Sequence, residues 1–400
     1  MSDRLLGDWL QSYLDVTSNL EAKESLHRWT GLVCLAAALR RKVHIEMEYG
    51  PVYPNLYVFI VAESAAARKT TAMVYGRKLL LQAFPDLQIF GDDMTPQGLI
   101  KYMYKKAPKD KKEPQGDFVL FSDELANLFG TERHRASKMV ILLTTTYMCP
   151  DVYDHMTVRD SLERLYNLYP VVEAATDPKN LTVLPADAVA GLTGRIIWVI
   201  EKEKRHANPG WLKPLSREAL ERQALREALI HDLQHISGLQ GIMTAEPDAE
   251  KMYSAWYELM SGKKTGDKNT DAFYHRCHAT AIQLAQLLSI SERDNLVISS
   301  VNMARAIKMI EDQLPEVRRV TKWSGTEKYE QQRTKYITYL EGTPGRRALR
   351  RNLLRHVGVT VDEFDQITLT LVEDGTIEQP KVRGSEILIM LTENGAKPND

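Results

Sequence analysis

The sequence predicts an α/β protein: a sheet core flanked by helices, a helical region after it, and a small module of helices and a hairpin at the end. Three observations carry this. Between residues 57 and 200, short apolar runs alternate with segments of helical period, giving about five core strands. From 215 to 318 the period is helical almost throughout. After 334 come three helical stretches and two strand-like pieces in close succession.

Residues 5–41 read as two helices. Leu5, Trp9, Leu10, Tyr13 and Leu14 keep helical spacing in the first, and Trp29, Leu32, Val33 and Ala36 in the second. Residues 42–49, KVHIEMEY, alternate and predict a strand. The core strands are expected at 57–62, 87–90, 118–121, 170–174 and 196–200, with helices at 69–84, 95–106 and 138–146. Thr95-Pro96 is a helix-start signal. Residues 152–166 predict a hairpin turning near Arg159-Asp160. Four helices follow, at 219–236, 249–260, 272–288 and 301–314, the first stopped by Gly238. The charged stretch 321–333 reads as a linker or linker helix. Then come a helix at 334–340, a turn at 342–345, a basic helix at 346–357, and a third helix to about 373 opened by Thr360 with Glu363 in the capping-box position. Strand-like pieces at 376–379 and 387–391 are joined by 380–384. Three helices followed by a hairpin predict a winged helix.

Lys+Arg 52 and Asp+Glu 53 leave a formal net charge of -1 over 400 residues. There is no global basic excess, so any nucleic-acid contact must come from local patches. Apolar runs such as 32–39 are too short to span a bilayer and end at Arg40-Arg41. The start, MSDRLLGDWL, lacks the basic-then-apolar order of a signal peptide. Cys34, Cys149 and Cys277 are scattered without CxxC spacing, which fits a reducing compartment. A cytoplasmic protein with no membrane partner is expected.

Residues 57–71, YVFIVAESAAARKTT, have the layout of a phosphate-binding loop. A buried strand feeds a turn of small residues, and Lys-Thr-Thr opens a helix. Backbone N–H groups of such a turn and helix N-terminus cradle phosphates, a Lys reaches the terminal phosphates, and a hydroxyl holds Mg²⁺. Ser64, Ala65, Ala66, Ala67, Arg68, Lys69, Thr70 and Thr71 are therefore the candidate nucleotide-binding residues. The glycines of G-x-x-x-x-G-K-[ST] are missing. With Lys69-Thr70 as the Lys-Thr pair, the glycine positions fall on Glu63 and Arg68. With Ala62 and Ala67 replacing the glycines, Arg68 is an extra residue. Residues 118–124, FVLFSDE, end a strand in two adjacent carboxylates. Asp123 is the expected Mg²⁺ partner, and Glu124 would polarise the attacking water. Thr176 ends the next strand, and Arg195 opens the one after it. The cluster His275-Arg276-Cys277-His278 is too tight along one helix for a zinc site.

The constellation HRWTGLVCLAAALRRKV, YPNLYVFIVAESAAARKTTA, FVLFSDEL and EAATDPKNLTVLPADAVAGLTGRIIWV resembles the AAA+ ATPase domain of phage and mobile-element replication proteins, which is similar to MCM and superfamily 3 helicases. The resemblance covers about residues 29–204. It implies N-terminal helices and a lead-in strand at 1–50, an AAA+ P-loop ATPase core at 51–205, an α-helical lid at 206–320, a linker at 321–333 and a winged helix at 334–400. It implies ATP and Mg²⁺ as cofactors, with Thr70 and Asp123 on the metal. It also implies Thr176 as the residue that orients water (sensor 1), Arg195 as an arginine finger reaching a neighbouring subunit, and Arg276 as a sensor 2 arginine. The function it implies is an ATP-dependent DNA helicase working as a ring, expected to be a hexamer, with a primase or other replication proteins as partners. The alternative is an ATP-switched DNA-binding assembly factor: a helicase loader, initiator or transposition regulator. A third reading is a regulatory relic that binds nucleotide weakly.

Phosphate contacts with DNA need cations along a groove. The candidates are Lys105 and Lys106 in a lysine run ending at Lys112, Arg159 at the hairpin turn, Arg346, Arg347 and Arg350 in the basic helix, and Lys381 and Arg383 in the wing.

Overall fold

The structure is a computed structural model describing residues 3–63, 66–91, 94–106, 113–130, 133–156, 162–183, 192, 194–208, 216–264, 268–373, 375–383 and 386–392. The chain separates into two compact units, residues 1–321 and 322–400.

The first unit begins with α1 (Trp9–Thr17) and α2 (Glu24–Leu39). Asp8 caps α1 by accepting the Gln11 backbone N–H at 3.1 Å. Thirteen of the sixteen residues of α2 are buried, so this helix lies inside the unit rather than on it. β1 (Val43–Met47) and β2 (Gly50–Val52) form an antiparallel pair. The core then runs through β3 (Tyr57–Ala62), α3 (Lys69–Ala83), β4 (Ile89–Phe90), α4 (Pro96–Lys106), β5 (Gln115–Ser122), α5 (Leu125–Phe129), α6 (Arg133–Thr146), β6 (Val152–His155), β7 (Glu163–Thr176) and β8 (Ile197–Glu201). The sheet order is β4-β5-β7-β3-β8, all parallel, and β6 adds an antiparallel ladder to β7.

β3 is central, and all six of its residues are buried. A parallel strand covered on both faces has to be apolar throughout, and YVFIVA is. The expected strands at 57–62 and 196–200 are displaced by one residue at most. The expected strand at 170–174 is the inner half of the 14-residue β7, whose outer half pairs with β6. The hairpin is therefore present, and its tip, with Arg159, lies outside the described residues.

The remaining elements of the unit are α7 (Arg217–Ile236), β9 (Gly241–Ala245), α8 (Pro247–Ser261), α9 (Lys268–Tyr274), α10 (Cys277–Glu292), β10 (Val297–Ile298) and α11 (Ser300–Glu311). The region expected to be almost wholly helical contains two strands. β9 pairs in parallel with β1 and with β10, closing a second sheet of order β10-β9-β1-β2. Residues near 243 are thus tied to residues near 45.

α12 (Leu314–Glu341) spans the stretch read as a linker or linker helix, and from Lys322 on it belongs to the second unit. There follow β11 (Arg347–Leu349), α13 (Arg350–Val357), α14 (Val361–Glu373), β12 (Lys381–Arg383) and β13 (Glu386–Met390). The strands form an antiparallel sheet of order β11-β13-β12. Leu353, Phe364, Ile367, Leu371 and Ile389 make its core with Tyr336 and Leu340. The capping box is formed: Thr360 N–H donates to Glu363 Oε2 at 3.0 Å, and Glu363 N–H to Thr360 Oγ1 at 3.3 Å. Two expectations change here. The basic helix begins at Arg350, because Arg347–Leu349 pair with β13 instead. The first hairpin strand is Lys381–Arg383, while of residues 376–379 only Ile377 bridges, to Leu391. No helix among the described residues is long and apolar enough to cross a membrane.

Candidate nucleotide site

Parallel strands deliver their carboxyl ends to one edge of a sheet, and loops at that edge carry the chemistry in open α/β sheets. At this edge β3 leads to the loop before α3, β5 ends one residue before Asp123, and β7 ends at Thr176.

The loop enters α3 through Arg68, which has φ 57° and ψ 33°. This left-handed conformation is the one a glycine supplies without steric cost. Arg68 thus occupies the second glycine position, and Lys69-Thr70 stand as the Lys-Thr pair. Ala67 is fully buried, and Ala66 N–H donates to Glu63 O at 3.3 Å. Ser64 and Ala65 lie outside the described residues. The Arg68 side chain leaves the helix start: its Nε donates to Glu21 Oε2 at 2.6 Å.

Lys69 is buried, with 7% of its surface exposed, and its Nζ donates to Ala62 O at 2.9 Å. Burial lowers its pKa, opposed by the carboxylates of Glu124, Asp177 and Asp123. Lys69 therefore faces the acidic pair across the edge. Thr70 and Asp123 line one small cavity of about 80 Å³ with Met73, Val74, Arg77 and Phe121. A hydroxyl and a carboxylate are hard oxygen donors of the kind Mg²⁺ takes, with phosphates and water supplying the rest. The described residues hold no group of three or more His, Cys, Asp and Glu that could bind a metal by protein ligands alone.

Thr176 is fully buried, and its Oγ1 donates to Glu124 Oε1 at 2.8 Å; Asn180 Nδ2 is 3.4 Å from the same oxygen. The insertion of β7 between β3 and β5 makes this contact, because it sets the end of β7 beside both Lys69 and Glu124. Four residues expected from the sequence, Lys69, Asp123, Glu124 and Thr176, thus converge.

The two arginines do not join them. Ala62 pairs with Glu201 at the carboxyl edge, whereas Arg195 precedes Ile197, which pairs with Val58. Arg195 therefore stands at the opposite edge, roughly 20 Å away at 3.3 Å per residue. Gly194 packs so closely on the end of α9 that a Cβ there would lie 2.6 Å from Ala272 O and 3.2 Å from Arg276 Cδ. Arg276 is consequently the neighbour of Arg195. Burial lowers the Arg195 pKa, and repulsion from Arg276 adds to it. Arg195 also lies over the Tyr147 ring, 5.8 Å from its centre.

The helical region brings a different arginine to the start of α3. Arg226 of α7 lines a cleft with Thr70, Thr71, Tyr75 and Lys78, lies 5.5 Å over the Tyr75 ring, and keeps its buried Nε without a hydrogen bond. Arg222 and Arg226 share one helix face at i, i+4, but among 52 basic residues this spacing did not stand out.

Of the candidate DNA residues, Lys105 and Lys106 are exposed at the end of α4. Arg350 is paired with Asp365 at 2.6 Å and lies over the Phe364 ring. Lys381 is paired with Glu378 at 2.7 Å. Arg347 is exposed, Arg346 has a buried Nη2 without a partner, and the Arg383 side chain lies outside the described residues. α14, the helix after the basic one, carries Asp362, Glu363, Asp365 and Glu373 and no Lys or Arg.

No protein-family model and no curated protein matches this chain.

Proposed function

We propose that the chain is an ATPase of the AAA+ class that works on DNA as a ring-forming motor. The observation that carries the ATPase reading is the 2.8 Å bond from Thr176 to Glu124, at the edge where Lys69 and Asp123 also stand. Lys69 would hold the terminal phosphates, and Thr70 with Asp123 the metal. Held there, Mg²⁺ would supply neutralisation of the charge that develops on the phosphates. Glu124, fixed by Thr176, would orient and polarise the attacking water. Arg195 and Arg276 are too far from Lys69 to serve their own subunit, which favours an assembly in which a neighbour supplies them.

A second reading is favoured by the second unit. Its third helix is acidic, and Arg350 and Lys381 already hold carboxylates of their own unit. That surface is a poor phosphate tracker. An ATP-switched assembly factor, with nucleotide controlling oligomerisation, needs no such tracker. ATP hydrolysis with and without single-stranded DNA, measured beside strand unwinding and a Glu124→Gln control, separates the two. DNA-stimulated hydrolysis with unwinding supports the motor. Stimulated hydrolysis without unwinding leaves the switch, and absence of nucleotide binding sinks both.

A further inference from the structure

Outside the strand edge, one carboxylate gathers three separate segments. Glu21 lies in the turn between α1 and α2. Its Oε2 accepts Arg68 Nε at 2.6 Å, and its Oε1 accepts Lys204 Nζ at 2.8 Å and the Asn208 backbone N–H at 3.1 Å. Its carbonyl accepts Arg205 N–H at 2.8 Å, and Asn208 Nδ2 reaches Asn19 O at 2.6 Å. The turn, the segment after β8 and the residue preceding Lys69 are therefore joined at a single side chain. Lys204 first, then the Asn208 N–H and Arg68, hold Glu21 down at a pKa of about 2, so it is an anion throughout the neutral range.

We propose that Glu21 is a latch on the phosphate loop, holding Arg68 at rest and competing for it with bound triphosphate. The proposal rests on Lys69-Thr70 being a phosphate site. Arg68 is next to Lys69 in sequence, and its side chain is 43% exposed, so it is free to swing from one anion to another. A guanidinium takes phosphate oxygens in the same forked geometry as a carboxylate, and a triphosphate offers more charge. Release of Arg68 would leave Glu21 to Lys204, loosening the tie between the loop and the segment after β8.

The test is calorimetric titration of the full chain with MgATP and with adenosine. Glu21→Gln is expected to tighten MgATP binding by about three- to fivefold, the range of an exposed ion pair, and to leave adenosine binding unchanged. The gain should vanish in Glu21→Gln/Arg68→Ala, and Glu21→Asp, which keeps the charge, should stay near the parent. Lys204→Ala, which leaves Arg68 as the only side-chain cation on Glu21 among the described residues, should weaken MgATP binding. Unchanged or weaker binding by Glu21→Gln overturns the latch, as does a gain that persists without Arg68. If the parent chain binds no MgATP, the phosphate-site reading itself falls and takes the latch with it.

Discussion

Thr176→Val removes a single hydroxyl from the candidate site while keeping its branched shape. That hydroxyl is fully buried and donates to Glu124 Oε1 at 2.8 Å; once it is gone, that oxygen keeps the longer bond from Asn180 Nδ2 at 3.4 Å. A hydrogen bond to a charged group contributes about 1.5–3 kcal/mol. If the bond holds Glu124 in its working direction only for the attack on phosphate, the whole amount appears in the barrier, a roughly 10- to 100-fold fall in kcat. Thr176 is hydrogen-bonded to the carboxylate that would act in the reaction, so ATP affinity should stay within about twofold. The assay is phosphate release at saturating MgATP, with nucleotide affinity measured separately and the melting temperature as a check on folding. A kcat within twofold of the parent refutes the reasoning. So does a raised KM at unchanged kcat, because that would place Thr176 in uniform binding rather than in the reaction.

Glu173→Gln should flatten the pH dependence of stability. Glu173 lies fully buried in β7, accepts Thr30 Oγ1 at 2.5 Å, and is pushed by burial up to about 8. Its raised folded value means that the folded chain binds the extra proton, so this group's contribution to stability is fully present below about pH 4.5 and is lost as pH rises toward about 8; melting curves across that window should lose this slope in the variant. Gly76→Ala should destabilise by about 1–3 kcal/mol through overpacking, because a Cβ there would lie 2.3 Å from Thr30 Cγ2 and 3.1 Å from Cys34 Sγ. Thermal unfolding reads this, and an unchanged melting temperature refutes it. Lys69→Ala and Arg195→Ala chains, each inactive alone, should regain ATPase activity when mixed, since the two residues stand at opposite edges of one subunit's sheet. Additive inactivity on mixing would argue against a shared site.

The parts of the fold that could be read from sequence are those whose residues announce their own surroundings. YVFIVA is apolar at every position because β3 is covered on both faces, and Thr360 with Glu363 marks a helix start through bonds only three residues long. β9 was hidden because GIMTA is short and its strand character depends on pairing with β1, about 200 residues earlier. The Arg346–Arg347 error has the same cause: β13 captures Arg347, and no neighbour in sequence records that. The site divides in the same way. Lys69, Asp123, Glu124 and Thr176 each follow or end a core strand, so parallel strands carry them to one edge, although the choice of Thr176 rests on the family resemblance. Arg226 and Asn180 come from a surface helix and a turn, and Glu21 from the turn that holds Arg68, where only the folded chain brings them near the site.

The loop before α3 shows how a sequence laid out like a phosphate loop can take up a left-handed turn without glycine. Glycine serves there because one residue must be left-handed, and an L-residue with a side chain pays roughly 1–2 kcal/mol for that conformation. Arg68 adopts it with φ 57°, so the loop must be held from outside. Two restraints are visible. Lys69 is buried and tied to Ala62 O, which fixes the helix start from below, and Arg68 is tied to Glu21, which fixes it from the side. The small side chains of Ala66 and Ala67, the latter fully buried, leave room for the backbone to turn. Under this arrangement Arg68→Gly should be tolerated by the backbone, since it relieves the left-handed strain, and should weaken nucleotide binding only by removing the guanidinium that would otherwise leave Glu21 for the triphosphate. Arg68→Val, β-branched and poorly suited to positive φ, should lose the tie and increase the strain together. The order of nucleotide affinity expected from the geometry is therefore parent, then Gly, then Val, and calorimetric titration with MgATP reads it directly. A Val variant that binds as tightly as the Gly variant would show that the left-handed turn at residue 68 is not what presents Lys69 and Thr70 to phosphate.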